Sequence, residues 1–262
     1  MTLPARLEYF ARPLEQRTSA FVSDFDGTLA PIVNDPATAA PLPESLSALR
    51  TLSEHLGLVA VVSGRPVEFL REKIPIDDVV LIGQYGLERL VDGRVELDPR
   101  AVEYVGAVAR AAAQAEERWP ALRIERKGEI AFTVHWRTAP NDEPDPDDLS
   151  ALAVEHGLAM QPGRKACELR PPVPVDKGTV FQGLAYRYES KAFAGDDSGD
   201  LAAFAQEFGD VDRTPQAVRI AVRSTEAPPE LLELAHVIVD GPAGLAALLT
   251  ELADAVSARR QP

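Results

Sequence analysis

Two closely spaced groups of aspartates are the side chains of this sequence best suited to chemistry. The first group is Asp24 and Asp26, followed directly by Gly27 and Thr28. In such a pair, one carboxylate can attack phosphorus while the other moves protons. An Asp-x-Asp segment alone is more often a solvated turn, but this one follows a short apolar run, and Gly27 permits close approach of the backbone. We interpret Asp24 as a candidate nucleophile and Asp26 as a candidate acid and base.

The second group is Asp196, Asp197 and Asp200, which follow another apolar run. Clustered carboxylates with no histidine or thiol beside them suit a hard cation with oxygen ligands, and Mg²⁺ is favoured because it keeps water ligands that a substrate can replace. The alternative is an acidic turn that caps a helix. Because a first acidic pair is also present, we interpret this group as part of a metal site.

Two candidate donors lie between these groups, Ser63 after an apolar run and Lys177 at the start of a helical segment. A hydroxyl at a strand end and an ammonium at a helix start both suit a bound phosphoryl group, since they add donors and positive charge where negative charge concentrates. Singly, such a serine is more often a helix cap and such a lysine is more often solvated. Together with the aspartates, they predict a phosphoryl-transfer site.

Strands and helices alternate in the two outer parts of the chain, and the candidate residues follow the strands. Apolar runs predict strands at 19–24, 58–62, 79–82, 191–195, 218–222 and 237–239. Leucine spacing, proline and glycine predict helices at 43–56, 66–73, 177–188 and 244–257, with a further helix near 201–208. This alternation predicts a doubly wound, mostly parallel, Rossmann-like α/β sheet. Ligands bind such sheets at the carboxyl ends of the strands, where both acidic groups are expected.

The middle of the chain has a different pattern and predicts an inserted domain. A hairpin is expected at 87–97, because Asp92 and Gly93 suit a tight turn. Helices at 101–119 and 147–156 and strands at 122–125 and 130–136 follow it. Helices against a few mostly antiparallel strands would form a compact α/β (α+β) cap. We therefore predict a core from 1–86 and 174–262, and a cap over 87–173.

The composition excludes several classes of protein. The chain has 262 residues, 45% of them hydrophobic, and its formal net charge of -14 is the opposite of what nucleic-acid and polybasic membrane binders carry. One cysteine and four histidines leave no internal disulfide and no Cys/His zinc cluster. The segment 1–17 lacks the apolar core of a signal peptide, and no stretch approaches the roughly 18 to 20 apolar residues of a membrane span. We expect a cytoplasmic protein with no nucleic-acid or membrane partner, and a monomer by default.

The order of these motifs resembles the haloacid dehalogenase superfamily, whose signature is Asp-x-Asp-x-Thr, then Ser or Thr, then Lys, then an acidic cluster. The match covers the chain beyond its N-terminal leader. Within that superfamily the chain is most similar to the trehalose-6-phosphate phosphatase family. This resemblance rests on the segments 24–32, 63–65, 83–88, 125–128, 135–137, 168–171 and 195–197.

The resemblance implies a role for each matching residue, with the cap closing over the sugar and setting specificity. The implied catalytic residues are Asp24, Asp26, Ser63 and Lys177. The implied cofactor is Mg²⁺, bound with the help of Asp24, Asp26, Asp196, Asp197 and Asp200. The implied substrate contacts are Thr28, Gly64, Arg65, Gln84, Tyr85, Gly86, Glu125, Lys127, His135, Arg137, Glu168 and Arg170.

Without the resemblance, the polar cap residues could simply form the solvated face of a strand. Lys127, His135, Arg137 and Arg170 would nevertheless supply the local positive field that an acidic protein needs to receive a phosphosugar. Tyr85 departs from the family, which often has histidine there.

The implied activity is Mg²⁺-dependent hydrolysis of trehalose 6-phosphate through an aspartyl-phosphate intermediate, as a step of trehalose biosynthesis. A small phosphosugar is therefore the expected partner. One alternative is a phosphatase for another phosphosugar, such as mannosyl- or glucosylglycerate phosphate, sucrose phosphate or a hexose phosphate. A phosphomutase and a catalytically silent phosphatase-like module are the remaining alternatives.

Overall fold

The computed structural model describes residues 3–12, 16–33, 35–163, 165–207, 217–225 and 227–258. It divides into two compact units, one formed by Met1–Gly86 with Val175–Pro262 and the other by Leu87–Pro174. The second range ends one residue after the expected cap, 87–173.

The strands are β1 Ser19–Ser23, β2 Leu58–Val62, β3 Val80–Gly83, β4 Glu88–Val91, β5 Arg94–Leu97, β6 Arg123–Lys127, β7 Ala131–His135, β8 Ala159–Gly163, β9 Ala166–Arg170, β10 Ser190–Gly195, β11 Val218–Arg223 and β12 Val237–Asp240. The helices are α1 Pro43–His55, α2 Val67–Lys73, α3 Pro99–Val102, α4 Val105–Arg118, α5 Pro146–His156, α6 Lys177–Ala185, α7 Leu201–Phe204, α8 Pro229–Leu234 and α9 Gly241–Ala258. In the described ranges, no helix has the length and apolar character needed to cross a membrane.

The first unit is built on parallel strands in the order β12-β11-β10-β1-β2-β3. Every residue of β1, β2 and β10 is buried, as their continuous apolar sequences require for strands covered on both faces. The chain moves outward from β1 through β2 and β3 on one side, and through β10, β11 and β12 on the other. The gap between β1 and β10 is therefore the topological switch point, where such sheets bind ligands.

Helices cover both faces of this sheet. Side chains of α6, α7 and α8, including Phe181, Phe204 and Leu231, pack in one core with Ala20 and Val22 of β1. Helices α1 and α9 pack against each other and contact β2 and β11 respectively. The result is a mixed α/β core with a mostly parallel sheet, as the sequence predicts.

The second unit contains the β4–β5 hairpin and an antiparallel sheet in the order β6-β7-β9-β8. One face of this sheet, with Phe132, Val134 and Leu169, packs in a core with Val108 of α4 and Leu152 of α5. Because side chains alternate along a strand, Glu125, Lys127, Thr133, His135 and Glu168 share the opposite face.

Several predicted elements have different bounds in the structure. The helix expected over 101–119 is two helices, because the chain leaves helical hydrogen bonding at Glu103 and Tyr104. The helix expected near 201–208 ends at Phe204, and residue 208 lies outside the described ranges. The sequence pattern does not predict strands β8 and β9 or helix α8 individually. In β8, Pro162 and Gly163 interrupt the apolar alternation.

Candidate active site

The two acidic groups meet at the switch point of the core sheet. Asp24 directly follows β1 and Asp196 directly follows β10, the neighbouring parallel strand. The backbone N–H of Asp24 donates to the carbonyl oxygen of Ala194 at 2.9 Å, so the pairing of the two strands continues up to the first carboxylate. Parallel pairing thus places residues 172 positions apart in sequence at one edge of the sheet.

Lys177 lies between two of these carboxylates. Its ammonium is 2.7 Å from Oδ1 of Asp24 and 2.7 Å from Oδ1 of Asp200, and its side chain is only 4% exposed. Lys177 is the first residue of α6, whose start is fixed by a capping box between Asp176 and Thr179. Burial disfavours the charge on Lys177, but Asp200 and Asp24 outweigh burial and raise its pKa well above the usual value.

The buried carboxylates are held in an environment that disfavours their negative charge. Burial raises the pKa of Asp24 well above its ordinary value, with Lys177 acting in the opposite direction. Burial, followed by the charge of Asp200, raises the pKa of Asp196 to about 7, although a hydrogen bond from Thr28 opposes the shift. Burial also raises the pKa of Asp200. A bound cation would favour the charged forms of these carboxylates and so lower their pKa values.

The donor set fits a hard divalent cation. One oxygen from each of Asp24, Asp196 and Asp200 lies within 4.8 Å of the others, and all three residues are buried. These three carboxylates have one ammonium between two of them, that of Lys177, so in their charged forms they leave excess negative charge, which a divalent cation would neutralise. The oxygen-only ligand chemistry is that of Mg²⁺, Mn²⁺ or Ca²⁺ rather than of zinc.

The three aspartates of the second group have different contacts. Asp200 accepts from Lys177 at Oδ1, and at Oδ2 from the backbone N–H groups of Asp196 at 2.9 Å and Asp197 at 3.2 Å. Its carboxylate therefore holds the lysine and the loop together. Asp197 caps the turn through Gly199 at 2.9 Å, while its side chain is 54% exposed. Asp24 and Asp196 are consequently the side chains best placed to bind a cation directly.

Gly27 and Thr28 fix the position of Asp196. The hydroxyl of Thr28 donates to Oδ1 of Asp196 at 2.9 Å. Gly27 has a φ of +76°, and a Cβ at this position would lie 2.1 Å from Oδ2 of Asp196. Glycine is thus required both for the backbone conformation and for the close approach of the carboxylate. Thr28, implied by the resemblance as a substrate contact, is fully buried against Asp196.

Ser63 and the loop at 84–86 are brought together at the ends of β2 and β3. Ser63 is buried, and its carbonyl oxygen accepts from the N–H of Tyr85 at 2.9 Å. Gln84, Tyr85 and Gly86 have φ values of 51°, 57° and 117°, and two of these residues are not glycine. Such backbone strain persists where the surrounding structure enforces it, often at functional sites. A Cβ on Gly64 would lie 2.5 Å from the Tyr85 ring, so a larger residue there would require the ring to move.

Asp26 is held by Arg65 rather than lying open. Nε of Arg65 donates to Oδ2 of Asp26 at 2.7 Å, and Nη2 donates to Oδ1 at 2.7 Å. The guanidinium lies over the ring of Phe69, 4.7 Å from its centroid. The sequence reasoning did not single out Phe69, although its position four residues after Arg65, on the first turn of a predicted helix, is a usable signal.

The second unit gathers most of its predicted site residues on the polar face of its sheet. Nε2 of His135 and Oε2 of Glu125 are 2.7 Å apart, and Lys127 forms an ion pair with Glu168. The hydrogen bond from His135 lowers the pKa of Glu125, although burial opposes it. Arg170, half-buried as the last residue of β9, lies on the same face as Glu168, and Arg137 is exposed beyond β7.

Known proteins are similar in sequence to this chain. The family model for trehalose-phosphatase matches residues 22–230. A Mycobacterium leprae trehalose-phosphate phosphatase is 29% identical over 90% of this chain and 55% of its own length. An uncharacterized glycosyl hydrolase of Mycobacterium tuberculosis is 32% identical over 78% of this chain, but over only 16% of its own length. The chain thus spans about half, or much less, of the length of these curated relatives.

Solved structures share the fold. A trehalose-6-phosphate phosphatase related protein has a TM-score of 0.72 at 21% identity, covering 92% of this chain and 100% of its own. Aspergillus fumigatus trehalose-6-phosphate phosphatase has a TM-score of 0.64 at 23% identity, covering 97% of this chain and 99% of its own. The family model spans the acidic loop, Ser63, Lys177 and the second acidic group in one match, and the chain belongs to the trehalose-phosphatase family.

Proposed function

We propose that this chain hydrolyses trehalose 6-phosphate to trehalose and phosphate, with Mg²⁺ as its cofactor. This reaction would be a step of trehalose biosynthesis. The observation that carries the proposal is the buried Asp24 at the switch point, ion-paired with Lys177 at 2.7 Å and clustered with Asp196. Membership of the trehalose-phosphatase family supports the choice of sugar phosphate.

In the first half of the reaction, a carboxylate oxygen of Asp24 attacks phosphorus and the bond from phosphorus to the sugar oxygen breaks. Asp26 gives a proton to the departing sugar oxygen. Lys177 and Ser63 hold the phosphoryl oxygens, since Lys177 contacts Asp24 and Ser63 follows β2, the strand paired with β1.

In the second half, water attacks the aspartyl-phosphate and the bond from phosphorus to Asp24 breaks. The electron pair of that bond stays on Asp24, and Asp26 accepts a proton from the water. Asp24, the backbone carbonyl of Asp26 and Asp196 would hold Mg²⁺, with Asp197 and Asp200 supporting them. The ion would neutralise charge between the carboxylates and the phosphoryl group.

We assign catalysis to the core, 1–86 and 174–262, and sugar recognition to the cap, 87–173. The paired charges of Glu125 with His135 and of Lys127 with Glu168 would present hydrogen-bonding groups to sugar hydroxyls. Gly64, Gln84, Tyr85, Gly86, Arg137 and Arg170 are assigned to the substrate on the strength of the resemblance. A cytoplasmic location and a monomeric state stay predictions from the sequence.

The test is phosphate release from trehalose 6-phosphate beside sucrose, glucose and mannosylglycerate phosphates, with EDTA and the Asp24→Asn variant as controls. We expect strong preference for trehalose 6-phosphate, with activity lost in both controls. Release from another sugar phosphate would keep the chemistry and overturn the sugar assignment. Release dependent on a bisphosphate activator would indicate a phosphomutase, and no release from any substrate would favour the silent module. Near-normal activity of Asp24→Asn would remove Asp24 as nucleophile.

A further inference from the structure

Arg65 makes a two-point contact with Asp26 that the resemblance does not imply. Nε and Nη2 of Arg65 donate to the two oxygens of Asp26, each at 2.7 Å. The side chains are 18% and 31% exposed, so the pair is partly shielded from water. A bidentate contact of this kind fixes both the position and the plane of a carboxylate. Arg65 was expected to contact substrate, whereas these two donors are used within the protein.

Arg65 is itself held in place from several sides. Its backbone N–H donates to Oγ of Ser63 at 3.2 Å, and its carbonyl oxygen accepts from Gln84 at 3.0 Å. The guanidinium lies over Phe69, whose ring packs edge to face on Phe25 with centroids 5.7 Å apart. Phe25 is fully buried between the two aspartates of the first group. These contacts close a ring that ties the loop after β2 to the catalytic loop after β1.

We propose that Arg65 is a positioning residue that holds Asp26 as the proton acceptor in the second half of the reaction. The proposal rests on the proposed phosphatase function. A carboxylate offers about four lone-pair sites, and the two bonds from the guanidinium use two of them while they fix its plane. Water can therefore donate to Asp26 while Arg65 keeps the carboxylate in one orientation.

The step balances without a further reactant. The water oxygen bonds to phosphorus, the bond between phosphorus and Asp24 breaks, and its electron pair returns to the Asp24 carboxylate. One proton of the water passes to Asp26. Arg65 touches neither phosphorus nor the sugar in this step and acts only through Asp26.

This role predicts kinetics that differ from those of a substrate contact. kcat/KM reports events up to formation of the aspartyl-phosphate, whereas kcat includes its hydrolysis. Loss of a substrate contact lowers kcat/KM. Loss of Asp26 positioning slows a step that is common to all substrates, so it lowers kcat and allows the intermediate to accumulate.

The experiment compares the wild-type chain with Arg65→Gln and Arg65→Lys in the presence of Mg²⁺, on trehalose 6-phosphate and p-nitrophenyl phosphate. Arg71→Gln is the matched control, since Arg71 lies on α2 in an exposed ion pair with Glu68. For Arg65→Gln we expect kcat to fall by roughly 10- to 100-fold, as for a misplaced catalytic group. On p-nitrophenyl phosphate, kcat/KM should change by less than about threefold, because p-nitrophenolate leaves without a proton from Asp26. On trehalose 6-phosphate, kcat/KM should fall as well, because Asp26 also protonates the departing sugar oxygen.

Rapid-mixing measurements supply a second readout. Arg65→Gln should show a burst of p-nitrophenol close to one equivalent per chain, and acid quenching should trap the phosphorylated protein. Arg65→Lys should lie between wild type and Arg65→Gln, because lysine keeps the charge but cannot donate in a fork. Arg71→Gln should behave as wild type.

Three results would overturn the proposal. A fall in kcat/KM with unchanged kcat and no burst would assign Arg65 to substrate binding. Unchanged kcat in Arg65→Gln would remove any role, and equal losses in kcat and kcat/KM on p-nitrophenyl phosphate with a lower Tm would indicate a structural role only. If wild type turns over p-nitrophenyl phosphate but not trehalose 6-phosphate, the sugar assignment fails while the Arg65 comparison remains valid. If wild type turns over neither, the proposed function fails and the Arg65 role falls with it.

Discussion

Replacement of Lys177 by methionine tests whether the positive charge of Lys177 stabilises the buried carboxylates of the site. The ammonium lies 2.7 Å from both Asp24 and Asp200, and its side chain is 4% exposed. Methionine keeps much of the side-chain volume but leaves two buried carboxylates without their partner. Breaking a buried ion pair in this way costs about 3–5 kcal/mol. At roughly 2–4 °C per kcal/mol for a chain of this size, the Tm should fall by about 6–20 °C.

The pH dependence of this loss identifies its cause. The pKa of Asp24 and that of Asp200 are already raised in the folded protein, so the fold binds protons on these groups more readily than the unfolded chain. Lowering the pH therefore removes the unpaired charges and should reduce the penalty of Lys177→Met. The assay is thermal unfolding followed by circular dichroism at pH 8 and pH 5.5, with EDTA present. We expect the difference from wild type to be smaller at pH 5.5.

A surface ion pair provides the control. Arg223 and Asp240 are 2.9 Å apart with side chains 53% and 82% exposed, so Arg223→Met should cost less than about 1 kcal/mol at either pH. A Tm of Lys177→Met equal to that of wild type at pH 8 would refute the reasoning. So would an equal loss at both pH values, which would point to packing rather than charge.

Two further predictions concern Asp196 and its neighbour. Because the pKa of Asp196 is raised to about 7 from 3.8, mainly by burial, the metal-free fold binds the extra proton. Its stability should fall by up to about 4 kcal/mol as pH rises from about 4 through about 7, and Mg²⁺ should raise the Tm more at pH 8 than at pH 5.5. Both effects should shrink in Asp196→Asn, although Asp24 and Asp200 keep part of the pH slope, and a slope as steep as that of the wild type would contradict the assignment. Gly27→Ala should lower the Tm and weaken Mg²⁺ binding, because its Cβ would lie 2.1 Å from Asp196. Gly93→Ala is the control, because Gly93 has a φ of +73° but a Cβ there would meet no described residue within 4 Å. This variant therefore measures the backbone strain alone. Equal Mg²⁺ affinity in Gly27→Ala and Gly93→Ala would refute the clash with Asp196.

The core elements could be predicted closely from local pattern. β2 has the bounds 58–62 that its apolar run predicts, and α1 begins at Pro43 as expected. The hairpin turns at Asp92 and Gly93, both with positive φ, as that dipeptide favours. A strand that is buried on both faces needs a continuous run of apolar residues, so it can be predicted from its own sequence.

The second unit was less predictable because its sheet has one polar face. β9 alternates buried apolar residues with Glu168 and Arg170, and β8 contains Pro162 and Gly163. Such short strands are specified by their partners rather than by local propensity. Their register, which sets Thr133 opposite Glu168, exists only once the sheet has formed.

By itself, the sequence determined which residues could do the chemistry and that the aspartates and Ser63 follow strands of one sheet. Oxygen ligands without sulfur or imidazole, and a lysine at a helix start, are properties of residue type and order. Only the tertiary structure decided which contacts each of these side chains makes. It committed both oxygens of Asp200 to Lys177 and the loop, set Asp196 against Gly27, and turned Arg65 onto Asp26. The reason is that hydrogen-bond partners and burial depend on contacts between distant segments, which neither composition nor spacing encodes.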